Sequence, residues 1–154
     1  MRFEWDWRWI VTTAVAVYGA ALSTFNAYIA SRRLRRQVSV TMSYGFLTNG
    51  PSLSDEMLFV SASNPGQRPI TLTSVGLLLP DGRRMFLPVP EGTQQLPVQL
   101  SEGTNCKHWI GAQDVIRELR RTGFSGTAAV KGFYQDAVDV YHNSKSFDID
   151  LTRS

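Results

Sequence analysis

The sequence predicts a mainly β fold: an N-terminal transmembrane helix followed by a two-sheet β-sandwich with one short helix. Three observations lead there. Residues 9–31 carry no charged side chain. From Gln37 onward the apolar period changes to two, the signature of strands with one buried face. Turn signals built from Gly, Pro, Asn and Asp then recur between short apolar stretches as far as Leu151. A chain of 154 residues, 43% hydrophobic and 19% charged, can fold as about one domain and is too apolar to stay disordered. The implied division is a tail over 1–8, a span over 9–31, a basic stripe over 32–36 and a sandwich over 37–154.

The span reads WIVTTAVAVYGAALSTFNAYIA over residues 9–30. As a helix it rises about 33 Å, enough for one crossing of a hydrocarbon core of about 30 Å. Its hydroxyls can bond back to helix carbonyls, so they need not oppose insertion. Trp5, Trp7 and Trp9 cluster at its start, where amphipathic rings suit the headgroup layer. The leader MRFEWDWR has balanced charges and the apolar run is longer than that of a signal peptide, so a retained anchor is expected.

The formal net charge of +3 is concentrated in one place, at Arg32, Arg33, Arg35 and Arg36, whereas Arg2 and Arg8 are offset by Glu4 and Asp6. The positive-inside rule then puts the N-terminus outside and the β-domain in the cytoplasm of a single-pass cell-membrane protein. The stripe should also hold the domain near anionic lipid, at about 1 kcal/mol per basic residue. Cys106 has no second cysteine to pair with, which suits a reducing compartment. Within the span, Ala16 with Ala20 and Gly19 with Ser23 have small-xxx-small spacing, and Asn26 carries an amide that hydrocarbon would leave unsatisfied. These five are candidate helix-pairing residues, for a homo-oligomer or another membrane protein.

After the span, Val38, Val40, Met42, Tyr44 and Phe46 alternate with small or polar residues, and Asn49-Gly50-Pro51 ends that strand. A second strand over 57–63 stops at the turn Asn64-Pro65-Gly66. In the third, over 69–79, Ile70 and Leu72 lie on one face and Val75, Leu77 and Leu79 on the other, so a bulge is expected near 74–76. Asp81-Gly82 is a hairpin signal joining 76–79 to 83–87, with Pro80 and Pro88 limiting the ladder. Residues 95–100 read as an edge strand or a strap. Over 113–122, Val115, Ile116 and Leu119 form a helical stripe, with Asp114 near its start, Arg120 and Arg121 in its last turn and Gly123 as a stop. Strands return at 127–134 and 140–151 around a turn at 135–139, and Phe147, Ile149 and Leu151 alternate with Ser146, Asp148 and Asp150. About seven strands in this length suggest two packed sheets.

These alternating strands, the Asn64-Pro65-Gly66 turn, the Asp81-Gly82 hairpin and the final pair ending in Phe147-Asp148-Ile149-Asp150 resemble an immunoglobulin-like or fibronectin-type sandwich of small bacterial membrane proteins. The likeness spans 37–152 and departs from antibody-type domains in lacking their Cys-Trp-Cys trio, since Cys106 stands alone and Trp109 follows it. It implies a binding or structural module and carries over no catalytic residues.

The chemistry-bearing residues are sparse. Cys106 and His108 would share a strand face, but a metal site or nucleophile-base pair needs more than these and the distant His142. Asp148 with Asp150, and Asp136 with Asp139, are acids of the sort that strand faces and turns commonly carry, short of the donors calcium needs. Thr122 to Gly126 lacks the spacing of a nucleophile elbow, and no Lys-Ser/Thr follows Gly123 or Gly126 to cradle phosphate. Arg117, Arg120 and Arg121 sit among Asp114 and Glu118, too small a field for nucleic acid. The expectation is a non-enzyme without metal or cofactor: a membrane-tethered interaction module, adaptor or accessory subunit of a membrane assembly, in contact with the lipid bilayer and a protein partner. The competing expectation is an outward-facing adhesive or envelope-structural sandwich.

Overall fold

The computed structural model describes residues 7–33, 37–50, 52–87 and 90–152, the side chains of 31–33 and 49 excepted. Trp5, Arg35, Arg36, Pro51 and Pro88 lie outside the described residues, and Arg32 and Arg33 are described only as helix backbone. The chain divides into two units, Met1–Arg35 and Arg36–Ser154.

The first unit holds α1, Trp7–Arg33. Its segment Trp7–Ala30 has a mean hydropathy of 1.4 and is long and apolar enough to cross a membrane. The helix extends past both ends of the charge-free run and takes in Arg32 and Arg33. Arginine is a good helix former, and a charge boundary does not stop hydrogen-bonded propagation. Thr12, Thr13 and Thr24 donate their hydroxyls to the carbonyls of Arg8, Trp9 and Ala20, at 2.8, 2.8 and 2.9 Å. Back-bonding of this kind satisfies a hydroxyl without water.

The second unit is mainly β. In chain order it runs β1 (Ser39–Gly45), β2 (Thr48–Asn49), β3 (Ser52–Leu53), β4 (Met57–Ser63), β5 (Ile70–Leu78), β6 (Arg84–Phe86), β7 (Glu91–Gly92), β8 (Val98–Leu100), β9 (Asn105–Gly111), α2 (Ala112–Arg121), β10 (Thr127–Asp136), β11 (Tyr141–Asn143) and β12 (Phe147–Asp150). One sheet has the order β1-β4-β9-β7; the other has β11-β10-β5-β6, with β12 also on β10 and β8 also on β5. β2 and β3 form a small separate hairpin. The described strands outnumber the seven or so expected because half of them are only two or three residues long, too short to show a period.

The core lies between the two main sheets. Leu58, Val60 and Ala62 from β4 meet Leu72, Val75 and Leu77 from β5 and Val130 and Tyr134 from β10, all buried. The bulge on β5 falls at Thr73, one residue before the expected stretch: Gln135 opposes Ser74 while Asp136 opposes Leu72. The extra residue restores the inward face, and Ile70, Leu72, Val75, Leu77 and Leu79 are all buried. The hairpin at Asp81-Gly82 closes with Leu79 N–H on the Arg83 carbonyl at 2.9 Å and Gly82 N–H on that of Leu79 at 3.0 Å.

The segment after β6 crosses from one sheet to the other, because β7 pairs with β9 and β8 with β5. It is therefore a strap with an edge strand at its far end. α2 buries Val115, Ile116 and Leu119. Gly123, at φ +96°, allows Gly123 N–H to reach the Arg120 carbonyl and Phe124 N–H to reach that of Leu119, a Schellman ending.

Candidate functional site

β9 was not expected as a strand, yet it occupies an inner position between β4 and β7. Its alternation buries Cys106 and His108 and leaves Lys107 exposed. The shared face read from their spacing is thus the core face. His108 Nδ1 lies 2.8 Å from the Tyr134 hydroxyl, and Nε2 lies 2.9 Å from the Gln94 carbonyl. The same hydroxyl lies 2.8 Å from the Val60 carbonyl.

In the neutral ring Nε2 carries the hydrogen, because the Gln94 carbonyl only accepts, and the one hydroxyl hydrogen of Tyr134 then has two acceptors in reach, the Val60 carbonyl and His108 Nδ1. Burial lowers the pKa of His108, which favours this neutral form, and raises that of the Cys106 thiol. Burial first, and then the adjacent Cys106, push the Tyr134 phenol far above its ordinary range. Burial thus favours the uncharged form of all three groups. What the cluster does is mechanical: it joins β9 and β4 of one sheet, β10 of the other, and the strap. The strap fits so closely that a Cβ on Gly92 would stand 2.4 Å from His108 Cδ2, a position only glycine fills without displacement.

The other histidine serves a turn. Asp136 Oδ1 accepts from the Val138 and Val140 amides at 2.9 and 3.0 Å, and Oδ2 lies 3.1 Å from His142 Nε2. β10 runs on to Asp136, so the turn is shorter than the expected 135–139. Burial works against the Asp136 carboxylate, but the bonds from Val140, His142 and Val138 hold its pKa below the usual value. Asp139, at φ +62°, accepts from Gln135. Asp148 and Asp150 share an exposed face of β12. Among the described residues no three His, Cys, Asp or Glu side chains converge as a metal ion would require.

Acid is therefore expected to weaken the β unit in two stages. His108 in the unfolded chain titrates near its ordinary 6.5, while the folded residue resists protonation, so the unfolded state binds more protons below that pH. The stability held above about pH 6.5 is lost as pH falls toward the depressed folded value. Asp136 contributes the second stage, below its ordinary 3.8. Urea midpoints at pH 7.5 and 5.5 check the first stage; equal midpoints would mean that His108 protonates without cost.

The arginines of α2 are engaged locally. Arg117 pairs with Asp114 at 3.2 Å, Arg121 with Glu118 at 2.6 Å, and Arg120 donates to the Leu151 carbonyl at 2.8 Å.

Two surface concavities differ in chemistry. One, of about 480 Å³, is lined by Asp55, Glu56, Glu91 and Asp114 around Trp109 and Arg117. There the Trp109 indole donates to Glu91 at 3.0 Å and its ring packs on Phe59 at 5.9 Å. The other is a groove of about 870 Å³ running along β1, with residues 142–147 on its far side. Its lining includes Lys145 and His142 and no carboxylate. The candidate helix-pairing residues Ala16, Gly19, Ala20, Ser23 and Asn26 are exposed on α1, as are Trp7 and Trp9.

The chain matches no family profile and no curated protein. Among solved structures it is similar to a Bordetella pertussis protein provisionally named ApaA, at 14% identity and a TM-score of 0.42, over 77% of this chain and 97% of that one. It is also similar to a structural-genomics target designated SoR45, at 12% identity and a TM-score of 0.35, over 75% of this chain and 86% of that one. Both scores are too low to carry a shared fold or function.

Proposed function

We propose that this chain is a membrane-tethered interaction module, an adaptor or accessory subunit of a membrane assembly, with α1 spanning the bilayer once and the β unit on the cytoplasmic side. In this reading the β unit is an immunoglobulin-like sandwich used for recognition, and no enzyme chemistry or cofactor is invoked. The observation that carries it is α1 itself, whose Val11, Val15, Leu22 and Phe25 are 50, 65, 47 and 59% exposed. So continuous an apolar surface is unfavourable in water and at home in lipid. Trp7 and Trp9 then mark one interface, and Arg32, Arg33, Arg35 and Arg36 mark the cytoplasmic one. Ala16, Gly19, Ala20, Ser23 and Asn26 offer a surface for close helix pairing within the assembly.

Crosslinking with mass spectrometry in native membranes tests the recognition role. The expected result is a reproducible set of crosslinks from lysines of the β unit to one partner protein. Crosslinks confined to the chain itself, at native abundance, would contradict an adaptor role.

A further inference from the structure

We infer that the outer edge of β1 is a strand-addition site for an extended, acidic segment of a partner protein; this rests on the interaction-module reading and names the surface and the partner's chemistry. Among the described strands, β1 is paired with β4 on one side only. Its register runs from Ser39 opposite Ser63 to Gly45 opposite Met57 without a shift, so no bulge twists the edge away. It carries no charge and no proline, and the uncharged stretch extends from Gln37 to Ser54. Folded proteins normally blunt such an edge, because a regular row of outward N–H and C=O groups recruits another strand.

The other edges of this unit are blunted. β6 is three residues long and opens with Arg84, whose guanidinium lies 4.1 Å from the Tyr141 ring centroid. β7 is two residues long and begins with Glu91. β8 and β11 have three residues each, and β12 presents Asp148 and Asp150. The seven-residue β1 is the exception among the described strands.

The groove beside β1 selects the occupant. Val38, Met42 and Phe147 are half-buried along it, so every second residue of an added strand gains apolar contact. Lys145 is exposed on its rim, and among the described residues no carboxylate lines it. A segment alternating apolar and acidic residues is complementary to both features. A second copy of this chain is not, since its own β1 carries no acidic side chain.

The test uses the full chain in nanodiscs of zwitterionic lipid and three fluorescent eight-residue probes: alternating Glu and Val, alternating Lys and Val, and the Glu/Val peptide with alternate amides N-methylated. Saturable binding of the Glu/Val probe is expected, about tenfold tighter than that of the Lys/Val probe, with slowed hydrogen exchange in β1. N-methylation should abolish binding, and Lys145→Glu should weaken it about tenfold. Equal binding of the methylated probe would overturn strand addition, and equal binding of the Lys/Val probe would overturn the acidic partner. An intermolecular disulfide in Thr41→Cys, with no protection of β1 by the Glu/Val probe, would make a second copy the occupant and overturn the proposal. Failure of the tether is separately visible, because the chain would then not enter the nanodiscs.

Discussion

Tyr134→Ala is expected to remove most of the stability of the β unit. Tyr134 is fully buried on β10, where its ring fills the space between the two sheets. Losing the ring costs about 3–5 kcal/mol through lost burial and the cavity left behind. Losing the hydroxyl adds about 1–3 kcal/mol, because His108 Nδ1 is left without its partner in a site that water does not reach. A domain of this size has about 5–15 kcal/mol in all, so the variant stands at the edge of unfolding. Tyr134→Phe separates the two contributions, since it keeps the ring and forfeits only the hydroxyl, and should cost about 1–3 kcal/mol. Pulse proteolysis across a urea series reads both. A wild-type midpoint in Tyr134→Ala would show that the His108–Tyr134 cluster does not tie the sheets together.

The second large effect concerns direction across the membrane. Replacing Arg32, Arg33, Arg35 and Arg36 with glutamine is expected to give a mixed population of orientations, because Arg2 and Arg8 then hold the Lys/Arg bias next to the span. The reversed fraction would expose the β unit on the outer side, where external protease cuts it. An unchanged, uniform orientation would mean that folding of the β unit, and not charge, sets the direction of insertion.

What the sequence made legible follows from range. β1, β4, the Asp81-Gly82 hairpin, α2 and β12 announce themselves through local period and turn chemistry, and they lie within a few residues of where the pattern puts them. The compensating bulge was legible as a need, from the switch of face between Leu72 and Val75, but its position at Thr73 is set by pairing with β10. β9 was hidden because its inward positions include a histidine, which reads as polar until Tyr134 and the Gln94 carbonyl satisfy it. Asp136 misled in the same way: a buried carboxylate that folds over its own turn looks like a turn residue. The spacing of Cys106 and His108 revealed a common face but not that it points into the core. Nor does β1 state in its own residues that it is an edge, since sheet order depends on pairings far apart in the chain.

Protease applied to right-side-out membrane vesicles tests the central claim most directly. If α1 crosses the bilayer once with its arginine-flanked end inside, residues 37–154 stay intact until the vesicles are permeabilised, and only then are they cut. Digestion of the β unit in sealed vesicles, or its release into the supernatant at alkaline pH with α1 still attached, would contradict a membrane-spanning anchor with a cytoplasmic β unit.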